Sequence, residues 1–195
     1  MTGDQRSDSE LLAGLPRQPE LMGVVYERHA PAVFRYLARR AGPAAADDLL
    51  SEVFVAALDA RKRVIAHHSG SALPWLYGIA MNVLRRHFRH SQPTWAVEPG
   101  QCVDWDAVDA RLDAEAQRRQ LRIALCSLSE PDRELLLLVA WEGLTSTEAA
   151  EVLGVSKVAA RSRLHRARHR ALQALHGDAG LPVLTTPASR EEETS

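Results

Sequence analysis

An all-α fold follows from three features of the sequence. Apolar residues recur at helical spacing along most of it, strand-favouring aromatic residues make up only 5% of the 195 residues, and Gly or Pro punctuates the periodic stretches. With 46% apolar and 25% charged residues the chain can bury cores, and its length suits two small domains.

Residues 1–19 are polar and aperiodic as far as about Arg17, which predicts a mobile N-terminal arm. From Leu21 the set Met22, Val25, Tyr26, His29, Val33, Tyr36 and Leu37 predicts one amphipathic helix ending near Gly42-Pro43. Asp47 and Asp48 are expected at the start of a second helix, where carboxylates offset unpaired backbone donors and the helix dipole. Its buried stripe is Leu49, Leu50, Val53, Phe54, Ala57 and Leu58. A loop around His67 to Ser71 leads to Pro74, a good first-turn residue, and to a third helix through Trp75, Leu76, Ile79, Ala80, Val83 and Phe88. Core packing is the expected role of Trp75. These helices make a first domain over residues 20–92.

Gln92-Pro93 and Pro99-Gly100 break the pattern, so residues 93–113 form a flexible acidic linker, with Asp104, Asp106, Asp109 and Asp113 against a single Arg111. A second domain spans residues 114–177. Ser129, with Asp132 three residues on, is expected to cap a helix whose run from Leu135 to Trp141 is largely core. Thr145 and Glu148 form a second capping box, which predicts a short helix from Ser146 to Leu153 stopped by Gly154 in a left-handed conformation. Ser156 can cap the next helix, and a short helix, a tight turn and a second helix make a helix-turn-helix. The tail at 178–195, with Pro182, Pro187 and three consecutive glutamates, reads as disordered.

Several classes of function are disfavoured. Cys102 and Cys126 form no CxxC pair, so neither a disulfide framework nor a zinc site is indicated and a reducing cytoplasm fits. The first residues lack the apolar core of a secretory signal, and the uncharged run from Val64 to Leu84 holds too many polar residues for a membrane span. No Gly-rich phosphate loop, nucleophile elbow or HExxH motif is present, so no catalytic residue, metal or cofactor is expected.

A net charge of −1 says little about nucleic acid, because a binding footprint is a local cluster. Lys157, Arg161, Arg163, Arg166, Arg168 and Arg170 form such a cluster, with no acid among them. On a helical wheel Ala160, Leu164, Ala167 and Ala171 share one face, while Arg161, Ser162, His165 and His169 point away from it. Hydrogen-bonding groups outermost and cations at the sides suit the major groove of DNA; a plain solvated basic face would normally interleave acids. Upstream, Arg61, Lys62 and Arg63, then Arg85, Arg86 and Arg89, bracket an uncharged, partly aromatic segment that suits separated single-stranded DNA. Asp48 and Glu52 lie four apart, off the apolar stripe, and suit ion pairing with a basic partner.

The segment from Leu128 to Leu175, above all Glu142 to Leu144, Glu148 to Val155 and Ser162 to Arg168, resembles the promoter −35 recognition domain of extracytoplasmic-function sigma factors in the sigma-70 family. Tyr26 to His29, Asp47 to Phe54 and Pro74 to Asn82 resemble, in order, the helices of that family's other domain, so the resemblance covers most of residues 20–178. It implies an initiation subunit that is not itself an enzyme and acts in the cytoplasm at the nucleoid. The implied partners are the beta and beta-prime subunits of core RNA polymerase, promoter DNA in duplex and single-stranded form, and an anti-sigma factor; the free chain is expected to be a monomer.

By the same resemblance Asp47, Asp48, Ser51 and Glu52 bind core polymerase. Arg61, Arg63, His67, His68, Ser69, Asn82, Arg85, Arg86 and Arg89 bind the −10 element, whose unstacked base is held by Asn82 and the loop from His67 to Ala72. Ser156, Lys157, Arg161, Ser162, Arg163, His165 and Arg166 bind the −35 element, and the acidic linker threads the RNA path. Ala159-Ala160-Arg161 departs from the family's common Thr-Val-Lys, and His67-His68 from many relatives. The alternative is a stand-alone helix-turn-helix regulator, which would bind paired half-sites unaided.

Overall fold

The computed structural model describes residues 5–64, 70–91 and 115–176, and among these every regular element is helical. The order is α1 (Asp8–Gly14), α2 (Leu21–Ala41), α3 (Pro43–Ala60), a 3-10 turn (Arg61–Arg63), α4 (Leu73–Ser91), α5 (Glu115–Cys126), α6 (Glu130–Ala140), α7 (Ser146–Leu153) and α8 (Lys157–His176). His67, His68, Ser69, the linker at 93–113 and the tail at 178–195 lie outside the described residues.

Helices α2, α3 and α4 pack on one another because each carries an apolar stripe. Val25, Val33, Tyr36 and Leu37 of α2, Leu49, Val53 and Ala57 of α3, and Leu76, Tyr77 and Ala80 of α4 are buried together. Trp75 is half-buried against this core. Tyr26, expected on the buried face, is 45% exposed and lays its ring edge-on to Phe54 at 4.7 Å.

Two expectations fail at helix starts in this body. Pro43 begins α3 after Gly42, whose φ of +79° turns the corner, so Asp47 and Asp48 lie beyond the first turn and cap nothing. The stretch expected to be a mobile arm contains α1. Ser7 and Glu10 close a capping box, and Leu11, Leu12 and Leu15 are fully buried.

The second body is α5 to α8. Thr145 and Glu148 form the expected capping box, and Gly154 has φ +65° in the left-handed region. Ser156 Oγ accepts from the Ala159 N–H at 3.2 Å, and Ala160, Leu164, Ala167 and Ala171 are the buried face of α8. Ser129, in contrast, makes no side-chain cap bond; α6 opens with Pro131, Glu130 and Asp132 in its first turn. Cys102 lies outside the described residues. The two bodies are in contact: α4 packs on α7, and Leu135, Leu138, Leu144 and Ala150 join the apolar cluster of the first body.

Candidate nucleic-acid interface

The turn between α7 and α8 is built by short-range chemistry. The capping box starts α7, Gly154 stops it, its N–H reaching back to Ala150 and Glu151, and Ser156 starts α8 at once. Burial of Ala160, Leu164 and Ala167 then fixes which way α8 faces, leaving Lys157, Arg161, Ser162, His165 and Arg166 exposed, together with Ser156. Arg166 Nη1 donates to Ser162 Oγ at 2.6 Å, joining two of these residues across one turn. Arg163 alone of the set is half-buried, in a groove between the two bodies. Val158, absent from the expected set, is 77% exposed in the first turn of the same face.

On the first body Asn82, Arg85, Arg86 and Arg89 are exposed along α4. Arg63 is exposed on the 3-10 turn, whereas Arg61 is half-buried and donates to the Leu58 carbonyl at 2.7 Å. Asp47, Asp48, Ser51 and Glu52 all face solvent on α3, with Ser51 Oγ donating to the Asp47 carbonyl at 3.2 Å. Glu52 and Arg86 were assigned to different partners, yet they pair at 2.6 Å. Both are about half exposed, so the pair is weak and either side chain can leave it.

A family model for sigma-70 region 2 matches residues 25–94, and one for sigma-70 region 4 matches residues 118–174. The chain is 34% identical over 162 residues to the RNA polymerase sigma factor CarQ of Myxococcus xanthus, covering 82% of this chain and 91% of that protein. It is also 34% identical over 140 residues to the ECF RNA polymerase sigma factor SigC of Mycobacterium tuberculosis, covering 70% and 73% of the two chains. The chain belongs to the extracytoplasmic-function group of the sigma-70 family. Two solved structures share the fold of this sigma factor. CnrH in complex with the cytosolic domain of CnrY has a TM-score of 0.60 at 24% identity, covering 89% of this chain and 99% of that one. Sigma factor RpoE, in complex with the anti-sigma factor NepR from Bartonella quintana, has 0.58 at 21% identity, covering 78% and 95%.

The seam between region 2 and region 4 of the sigma factor holds a buried ionic cluster of which local sequence pattern shows no sign. Arg40 Nη2 donates to Glu134 at 2.9 Å and Nη1 reaches Glu142 at 3.4 Å, while its guanidinium lies over the Tyr36 ring at 3.6 Å. Arg39 also pairs with Glu142, and the Tyr36 and Tyr77 hydroxyls donate to Glu134 and Glu142 at 3.0 and 3.4 Å. The Arg40 side chain is 8% exposed and that of Glu142 3%. Burial works against the charge of Arg40, but the fields of Tyr36, Glu134 and Glu142 outweigh it and hold the guanidinium more firmly protonated than usual. Burial, reinforced by the glutamates, pushes both tyrosine hydroxyls above their ordinary value, so they remain donors. The hydroxyls and guanidinium nitrogens therefore supply donors to acids that would otherwise be buried without partners.

Proposed function

We propose that this sigma factor binds core RNA polymerase through the acidic face of α3, reads the promoter −35 element with α8 and holds the separated −10 strand on α4, without catalysing a step itself. The observation that carries the reading is the outer face of α8. Arg161, Ser162, His165 and Arg166 stand exposed beyond a buried stripe, on a helix aimed by a capped helix and a glycine turn. Arg85, Arg86 and Arg89 give α4 the cations that track a single-stranded backbone, with Asn82 beside them to hydrogen-bond a base. Asp47, Asp48 and Glu52 present carboxylates to a basic partner.

The cytoplasm, as the place of transcription, follows from the same reading. An anti-sigma partner belongs to it too: the groove between the bodies combines Ile79, Phe88, Leu137 and Trp141 with Arg85 and Arg89, a surface suited to an amphipathic acidic segment.

Footprinting of reconstituted holoenzyme on promoter fragments tests the assignment of the two elements. Protection of the −35 duplex should weaken in Arg161→Ala, and strand opening at −10 should be lost in Asn82→Ala with −35 protection kept. If purified sigma factor alone occupied paired half-sites as tightly as holoenzyme, it would act as a stand-alone regulator instead.

A further inference from the structure

Asp8 is the first residue of α1, yet its carboxylate serves other helices. Oδ2 accepts a hydrogen bond from the backbone N–H of Ala72 at 3.0 Å, Oδ1 accepts from Arg28 Nη1 at 3.1 Å, and His29 Nε2 stands 2.7 Å from Oδ2. Arg28 also donates to the Arg6 carbonyl at 2.7 Å, tying down the residues ahead of the helix. One carboxylate with a 14% exposed side chain therefore joins α1 and α2 to the start of α4.

Ala72 is the residue from which α4 begins, its carbonyl accepting from the Leu76 N–H at 3.1 Å. In α1 and α7 the backbone N–H at the equivalent position is taken by a glutamate three residues on, Glu10 and Glu148. At α4 that position is Trp75, an indole with no oxygen to accept a bond. Asp8 supplies the missing acceptor from another helix. The segment just before Ala72 is held as well. Gly70 has φ +76°, and a Cβ there would lie 3.4 Å from Ser9 Oγ, so α1 packs directly over the chain where it approaches α4. Leu11, Leu12 and Leu15, fully buried, anchor α1 in place.

We infer that Asp8 is a positioning residue for the −10 element. It fixes Gly70, Ser71 and Ala72 against α1 and α2, and with them the geometry at which these three residues, and Asn82 on α4, meet an unstacked base. The inference rests on the proposed −10 site, and adds the N-terminal helix to it.

The test uses the full chain, alone and assembled with core polymerase, as Asp8→Ala and Asp8→Asn; the asparagine keeps an acceptor for the Ala72 N–H without the charge. In the free protein, amide exchange at Ala72 should quicken in Asp8→Ala and be largely restored in Asp8→Asn. In holoenzyme on forked, pre-opened DNA, Asp8→Ala should lower discrimination between −10 bases by about fivefold, the equivalent of one lost hydrogen bond. Asp8→Asn should recover most of it, with core binding and −35 duplex binding unchanged in both. Unaltered exchange at Ala72 would overturn the inference, and so would faster exchange with intact −10 discrimination. Parallel loss of core binding and −35 binding would reduce Asp8 to a folding residue. Should Asn82→Ala also leave −10 discrimination intact, the −10 assignment itself fails, and the role of Asp8 with it.

Discussion

Arg161 stands exposed on the outer face of α8, directly before Ser162 and four residues before His165, where a guanidinium can reach a base edge in the major groove. Its replacement by Ala should cost about 1–3 kcal/mol in −35 binding by holoenzyme and relax selectivity at one base pair, measured by competition among single-base promoter variants. Equal weakening on every variant would assign Arg161 to phosphate instead. Asp8 makes a prediction in pH. Burial raises its pKa, but the Ala72 N–H, His29 and Arg28 together pull it below its ordinary value. A carboxyl depressed in the folded state adds stability above its unfolded pKa of about 3.9 and loses it as pH falls through the folded value. The stability of the natural chain over Asp8→Asn, followed by urea denaturation, should hold near neutral pH and shrink below about pH 4. An advantage independent of pH would mean that the charge on Asp8 does not matter.

At the scale of elements, α7, its turn and α8 are legible in the sequence because each boundary is set by a residue whose conformational chemistry is local. Thr145 with Glu148, Gly154 and Ser156 act within four residues of themselves, and the structure uses all of them as expected. Thr145→Ala should cost about 1 kcal/mol of stability to denaturant and lower −35 affinity in step, since α8 takes its angle from α7. Unchanged stability would show that packing alone sets the turn. Helix α1 escapes the same reading because seven residues hold one apolar cluster and no period; its one readable sign is the Ser7–Glu10 capping box. Asp47 and Asp48 look like first-turn residues only until Pro43 is allowed to begin the helix, after which they become part of an exposed face. The Glu52–Arg86 pair spans 34 residues, and nothing in the sequence around either side chain points to the other.

At the scale of the molecule, the least legible feature is the seam, because Arg40 and Glu134 are 94 residues apart and carry no shared period. Breaking a buried ion pair from one side costs roughly 3–5 kcal/mol while the other charge stays buried. Two bodies that separate escape that cost, since water reaches Arg39, Arg40 and both glutamates at once. Asn82 and Arg163 line the same groove, yet the elements assigned to them lie about 25 base pairs apart, roughly 85 Å along a duplex. On the proposed assignment of α4 to the −10 element and α8 to the −35 element, the seam would have to part for both to be held at once. Glu134→Gln with Glu142→Gln should enlarge the radius of gyration of the free protein in small-angle scattering while helical content persists. An unchanged radius would mean that the apolar contact between α4 and α7 suffices to close it.

Charge reversal on α3 examines the link to the polymerase. Asp48→Lys with Glu52→Lys should fold normally and fail to join core enzyme in a pull-down; normal assembly would move the docking face elsewhere. The most direct measurement is run-off transcription with purified core polymerase on a pool of genomic fragments, with and without this chain. Discrete start sites should appear only when it is present, preceded by two shared sequence elements. Transcription that is identical with and without it would contradict its role in initiation.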